Sequence, residues 1–222
     1  MMSKKPFKDD KANKLLLLEG INDCHVVAAL CEAHKLPQVF KIYDAGGCED
    51  VLVKLMALID AADGVQDINT IGIVLDADDN LMSTWQSVID NLAKKDYLIQ
   101  SELNKNGTIL IQQGRPTIGI WLMPNNQING MLEDFCQILL DNPVALSFIE
   151  QCLNQAKTQK IATFKDVHRA KAIIHTYLAW QDELAKPLGQ AITAKILNPN
   201  HQLALTFKDW LLDLFGGNHA SP

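Results

Sequence analysis

Three stretches of the chain are continuously apolar and short: KLLLLE at Lys14–Glu19, the run from Ile68 to Leu75, and TIGIWLM from Thr117 to Met123. A strand with one wet face alternates apolar and polar residues. These runs do not alternate, so both of their faces are buried, as in the centre of a parallel sheet. Val39–Tyr43 reads as a further strand, second in chain order. Helical patterns fill the gaps. One runs from Asn22 to Lys35 with Val26, Val27, Leu30 and Cys31 on one face, ended by Pro37. A second follows the turn Asp44-Ala45-Gly46-Gly47 and runs to about Ala62, striped by Val51, Leu52, Leu55, Met56 and Ile59. A third spans Met82–Lys94. Strand and helix alternate through TIGIWLM, which predicts an α/β fold of Rossmann-like type: a mainly parallel sheet flanked by helices.

The stretch from Asp96 to Gln113 is weaker and reads as a short hairpin or loop around Asn106-Gly107. From Gly130 onward the pattern is helical, with helices expected over Met131–Leu140, Val144–Lys157, Asp166–Trp180, Leu188–Leu197 and Phe207–Phe215. Gly216-Gly217 stops the last one. The expected organisation is a loosely ordered 1–13, an α/β domain over 14–141, a helical extension over 142–217 packed on it, and a tail at 218–222. Trp85, Trp121, Trp180 and Trp210 are expected as core anchors.

Composition excludes several classes. At 48% hydrophobic residues the 222-residue chain can bury a real core, yet no apolar run approaches the length of a membrane span. The charged N-terminus lacks the apolar stretch of a secretion signal. Five cysteines (Cys24, Cys31, Cys48, Cys136, Cys152) form no C-x-x-C pair, which points to a reducing cytoplasm and no structural zinc. A net charge of −6 does not mark a protein that coats nucleic acid by bulk electrostatics.

The chemistry concentrates after the strands, where ligands bind in an open parallel sheet. Glu19 follows the first strand, with Asp23 one helical turn on. Asp76, Asp78 and Asp79 follow the third. After the fourth core strand come Asn125 and Asn126, then Glu133 and Asp134 in the opening turn of a helix. Two carboxylates in contact repel by roughly 4 kcal/mol at the effective dielectric of a protein surface. A divalent ion would offset that, and oxygen ligands without His or Cys select Mg²⁺ or Mn²⁺. A single acid at such a turn is commonly a helix cap instead. For Asp79 and Asp134 capping is the expected role; for Asp76 and Asp78, joined by Glu19 from a second strand end, it is metal binding. The chain carries no P-loop and no G-x-G-x-x-G, and Gly46-Gly47 reads as a turn into a helix. His25, His34, His168 and His175 read as surface or core histidines. Lys165, Arg169 and Lys171 share the Asp166–Trp180 segment with His168; this is either a solvated helix face or a source of one cation that reaches a phosphate.

LLLLEG at the first strand and VLDADD at the third resemble the Toprim motifs of topoisomerases, primases and OLD-family nucleases. YDAGG, IGIWLMPNN, GMLEDF and HTYLAWQ are similar to a small family of stand-alone Toprim-like proteins, and the resemblance runs from about Leu15 to Phe215. It implies a metal-dependent nuclease acting on DNA more readily than RNA, with two Mg²⁺ or Mn²⁺ ions. Glu19, Asp23, Asp76, Asp78 and Glu133 would be the metal ligands. Glu19, Asp76, Asp78 and, by analogy with a C-terminal-helix lysine, Lys171 would be catalytic. The chain lacks the Tyr-bearing cleavage domain of topoisomerases, the zinc domain of primases and the ATPase domain of OLD proteins. A separate ATPase of the AAA or ABC type is therefore an implied partner, and a second copy of the chain another. Two alternatives stand beside this reading: a Toprim-like binding or regulatory subunit, and a phosphatase of the haloacid-dehalogenase type using D-x-D. Against the phosphatase, that motif belongs at the first strand, and Asn80 stands where Thr is expected.

Overall fold

The structure, a computed structural model, describes residues 13–64, 67–98 and 102–216. The expectations for residues 1–12 and for the tail from 217 lie outside the described residues. Five strands, β1 (Lys14–Leu18), β2 (Lys41–Asp44), β3 (Thr70–Asp76), β4 (Thr108–Leu110) and β5 (Thr117–Met123), form one sheet in the order β2-β1-β3-β5-β4. All pairs are parallel except β4 with β5. The fold is therefore α/β with a mostly parallel sheet, as the unbroken apolar runs require.

The helices α1 (Ile21–Ala33), α2 (Cys48–Gly64), α3 (Leu81–Ala93) and α4 (Leu132–Leu139) follow strands. A helical C-terminal region adds α5 (Pro143–Thr158), α6 (Arg169–Ala179), α7 (Leu188–Thr193) and α8 (Gln202–Gly216). Side chains alternate between two cores. Leu15, Leu17, Ile71, Ile73, Ile118 and Ile120 face α2 and α3, meeting Val51, Leu55, Trp85 and Val88. Leu16, Leu18, Val74 and Trp121 face the other way, toward α1, α4 and the C-terminal helices, where Val27, Phe135, Ile174, Phe207 and Leu214 share one buried cluster with them.

Gly72 and Gly119 explain how α8 reaches the sheet. They are register partners on β3 and β5, and together they leave a trough on the second face. Leu214 and Phe215 fill it: a Cβ on Gly119 would stand 2.2 Å from Leu214 Cδ2, and one on Gly72 would stand 2.7 Å from Leu16 Cδ1. Glycine inside a strand ordinarily costs about 0.5–1 kcal/mol relative to alanine. Here the sign reverses, because Leu214 is fully buried and has nowhere to move. Gly119→Ala is expected to lower stability by about 1–3 kcal/mol, read as a lower denaturant midpoint with an unchanged slope.

Several local expectations need correction. Of the hairpin or loop expected around Asn106-Gly107, the loop is what forms. Gly107, at φ 89°, closes a tight turn with its N–H on Asn104 O, and this leads into β4, which pairs with β5 instead. Helix α1 ends at Ala33, before Pro37, because Lys35 turns left-handed at φ 51°. Asp166–His168 is a 3-10 turn, so α6 starts only at Arg169 and Lys165 lies outside it. Helix α7 is shorter than expected and α8 longer. Trp180 is half exposed. It sits at the C-cap of α6, past the buried stripe of Ile173, Ile174 and Leu178, and rests against Phe148.

Candidate functional site

The chain runs from β1 outward to β2 and then back across to β3. The strand order therefore reverses between β1 and β3, the place where open α/β sheets bind ligands. Glu19 and Asp76 stand at the carboxyl ends of these two neighbouring strands. The backbone ties them together: the Asp76 N–H donates to Glu19 Oε1 at 2.7 Å. Asp76 in turn accepts at Oδ1 from the Leu132 N–H, 2.9 Å away at the opening of α4. Each carboxylate thus spends one oxygen on an amide that orients it. Asp23, in the first turn of α1, and Glu133, in the first turn of α4, are buried. Glu133 Oε1 lies 3.8 Å from Lys171 Nζ, which α6 brings in from the C-terminal region.

Asp78 is held by an antiparallel bridge to Gly130, its N–H on Gly130 O at 2.9 Å and its carbonyl accepting from Gly130 N–H at 2.8 Å. Gly130 is needed there. Its φ is 138°, and a Cβ would stand 2.8 Å from Asp134 Oδ2, the oxygen that caps α4 by accepting from the Met131 N–H. Asp134 is thus the cap that was expected. Asp79 is not: Asn80, extended at the entrance to α3, accepts from the Ser83 N–H instead. Asn129 locks this loop to the D-x-D turn, accepting from the Leu81 N–H and donating to Asp79 O.

Burial and crowding make Asp76, Glu19 and Asp23 hard to ionise. Burial raises Asp76 to about 8, helped by the charges of Glu19, Asp23, Glu133 and Asp78. Burial also raises Glu19 to about 7, with Asp23 and Asp78 adding to the shift and the Asp76 amide opposing it. Asp23 is raised to about 6, first by burial and then by Glu133 and Asp44, while local backbone hydrogen bonds oppose the shift. The structure thus brings Glu19, Asp23, Asp76, Asp78 and Glu133 into one field, with Lys171 at its margin.

Two members escaped the sequence reading. Asp44 ends β2, level with Leu18 of β1, and acts on Asp23. Cys48 opens α2; its side chain hydrogen-bonds Glu19, and burial together with Glu19, Asp78 and Asp76 pushes its thiol up to about 11. The signal was available for Asp44, since the strand-end rule applies to β2 as it does to β1 and β3. The donor set, carboxylate oxygens with no imidazole, suits a hard cation such as Mg²⁺ or Mn²⁺. As the side chains stand, no group of three or more His, Cys, Asp or Glu among the described residues is drawn together tightly enough to hold one.

No curated protein matches this chain, and no solved structure does. One family model matches residues 13–216, from just before β1 to the end of α8. The chain belongs to the family described as protein of unknown function (DUF3226).

Proposed function

We propose that this protein is a divalent-metal-dependent nuclease whose centre is the acidic edge between β1 and β3. The observation that carries the reading is the convergence of Glu19, Asp23, Asp76, Asp78 and Glu133 from separate elements onto that edge, with the Lys171 ammonium 3.8 Å from Glu133. The resemblance of LLLLEG and VLDADD to Toprim motifs supports it. When bound, Mg²⁺ or Mn²⁺ would supply Lewis acidity and an activated water for phosphodiester hydrolysis. The chain's own part is orientation and charge. The amides of Asp76 and Leu132 fix one oxygen each of Glu19 and Asp76, and the Cys48 thiol adds a second hydrogen bond to Glu19. Glu133 anchors Lys171, whose cation would stabilise charge developing on a phosphate. DNA is the proposed substrate, a separate ATPase the proposed partner, and a reducing cytoplasm the proposed setting.

One observation favours a rival reading, a regulatory subunit with a nuclease-like fold: no three of the acids stand close enough together to hold an ion. The assay that separates the two is plasmid nicking and single-strand degradation at low salt with Mn²⁺ or Mg²⁺, with and without chelator. Metal-dependent cleavage supports the nuclease. A chain that stays silent even beside a co-purified ATPase belongs to the regulatory class.

A further inference from the structure

Resting on the nuclease reading, we propose that the connection from the end of α5 into α6, residues 157–171, is a phosphate-binding track that guides a nucleic-acid strand onto the acidic edge. Five of the chain's 20 lysines and arginines (Lys157, Lys160, Lys165, Arg169 and Lys171) fall in this segment, which carries one acid, Asp166, in a chain of net charge −6. Its placement links it to the site. Lys171, in the first turn of α6, makes the ion pair with Glu133, so the segment ends at the acidic edge.

The cations are also differently employed. Lys157 is tied to Asp166 and lies over the Phe164 ring, and Arg169 donates to Asn154 Oδ1. These contacts brace the connection. Lys160 and Lys165 are exposed and, among the described residues, have no acidic partner. Two apolar side chains interleave with them, Ile161 at 71% exposure and Val167 at 53%. Cations alternating with apolar contacts suit a backbone of phosphates with sugars and bases between them. An acidic chain cannot hold such a polyanion by its overall field, so a local strip must do it.

The test is fluorescence anisotropy of a short labelled oligonucleotide, single-stranded and duplex, in EDTA over a salt series. Three chains are compared: the unsubstituted chain, the Lys160→Gln/Lys165→Gln variant, and Lys35→Gln/Lys94→Gln as a control with the same charge change. Lys35 and Lys94 are exposed just past the C-termini of α1 and α3, at the opposite edge of the sheet. The track variant is expected to bind on the order of tenfold more weakly than the control, and to lower the slope of log affinity against log salt by about 1–2. Equal weakening in both variants, no binding by the unsubstituted chain, or tighter binding to phosphatidylserine vesicles than to oligonucleotide overturns the track. Addition of Mn²⁺ then separates the two claims. Binding through Lys160 and Lys165 without cleavage keeps the track and removes the nuclease. Cleavage by a track variant that binds like the control does the reverse.

Discussion

Without divalent ions, Asp76→Asn is expected to melt higher than the unsubstituted chain at pH 8.5, by on the order of 5 °C or more for a protein of this size. The sign follows from linkage. The Asp76 carboxyl has an ordinary value of 3.8 and is raised to about 8 in the folded chain. The folded state therefore holds this proton more tightly than the unfolded state. Stability from this group is intact below about pH 4 and falls as pH rises toward 8, by up to about 1.4 kcal/mol per pH unit. Glu19, raised from 4.5 to about 7, adds a smaller loss over a narrower window inside that one. Asparagine removes the Asp76 penalty and keeps an oxygen that can accept from the Leu132 N–H. Mn²⁺ should raise the melting temperature of the unsubstituted chain, by an amount that grows with pH, and leave the variant unmoved. Differential scanning fluorimetry across pH 5–9 reads both effects. Equal ion-induced shifts in the two proteins would place the ion elsewhere.

Removing Glu19 or Asp78 is expected to end cleavage, since each is a proposed metal ligand in the field of Asp76. Lys171→Ala should act differently. Loss of a single cation facing a phosphate typically lowers turnover by about 10²–10³-fold, while the oxygen donors remain and Mn²⁺ binding persists. Lys171→Arg, which keeps the charge beside Glu133, should recover part of the rate. The measurement is single-turnover cleavage of a labelled oligonucleotide, paired with Mn²⁺ binding for each variant. Cleavage that survives in Asp78→Ala would trace to a contaminant. A Lys171→Ala protein that loses Mn²⁺ along with activity would give Lys171 a role in holding the acids rather than the phosphate.

The sheet was legible because its central strands are buried on both faces. β5 has the bounds that TIGIWLM suggested, and β1 and β3 differ from the expectation by only a residue or two. The site was legible for the same reason: once the strands are parallel, Glu19, Asp76 and Asp78 must emerge at one edge. What the residues concealed was set by tertiary contacts. The trough at Gly72 and Gly119 exists only because two strands place their glycines side by side, so nothing local announces that α8 seats there. Asp44 read as a turn residue, and it is one, accepting from the Gly46 N–H. That local role masked its position at a strand end. Trp180 carries the same apolar signal as Trp210, yet only the latter falls under a neighbouring element, near β4 and β5. Lys171 could be linked to the site only by analogy, because its approach to Glu133 depends on how α6 packs against α4.

The central claim, that the acidic edge is a cation site, is tested most directly by the protons it gives up. Near pH 7 Asp76 holds its proton and Glu19 shares its own with water. A divalent ion binding both carboxylates must displace them. Isothermal titration of Mn²⁺ in two buffers of different ionisation enthalpy counts the protons released. The account predicts about one or more released per chain at pH 7, close to none at pH 9, and no Mn²⁺ binding by Asp76→Asn. Mn²⁺ binding that releases no protons at pH 7, or that is the same in Asp76→Asn, would contradict it.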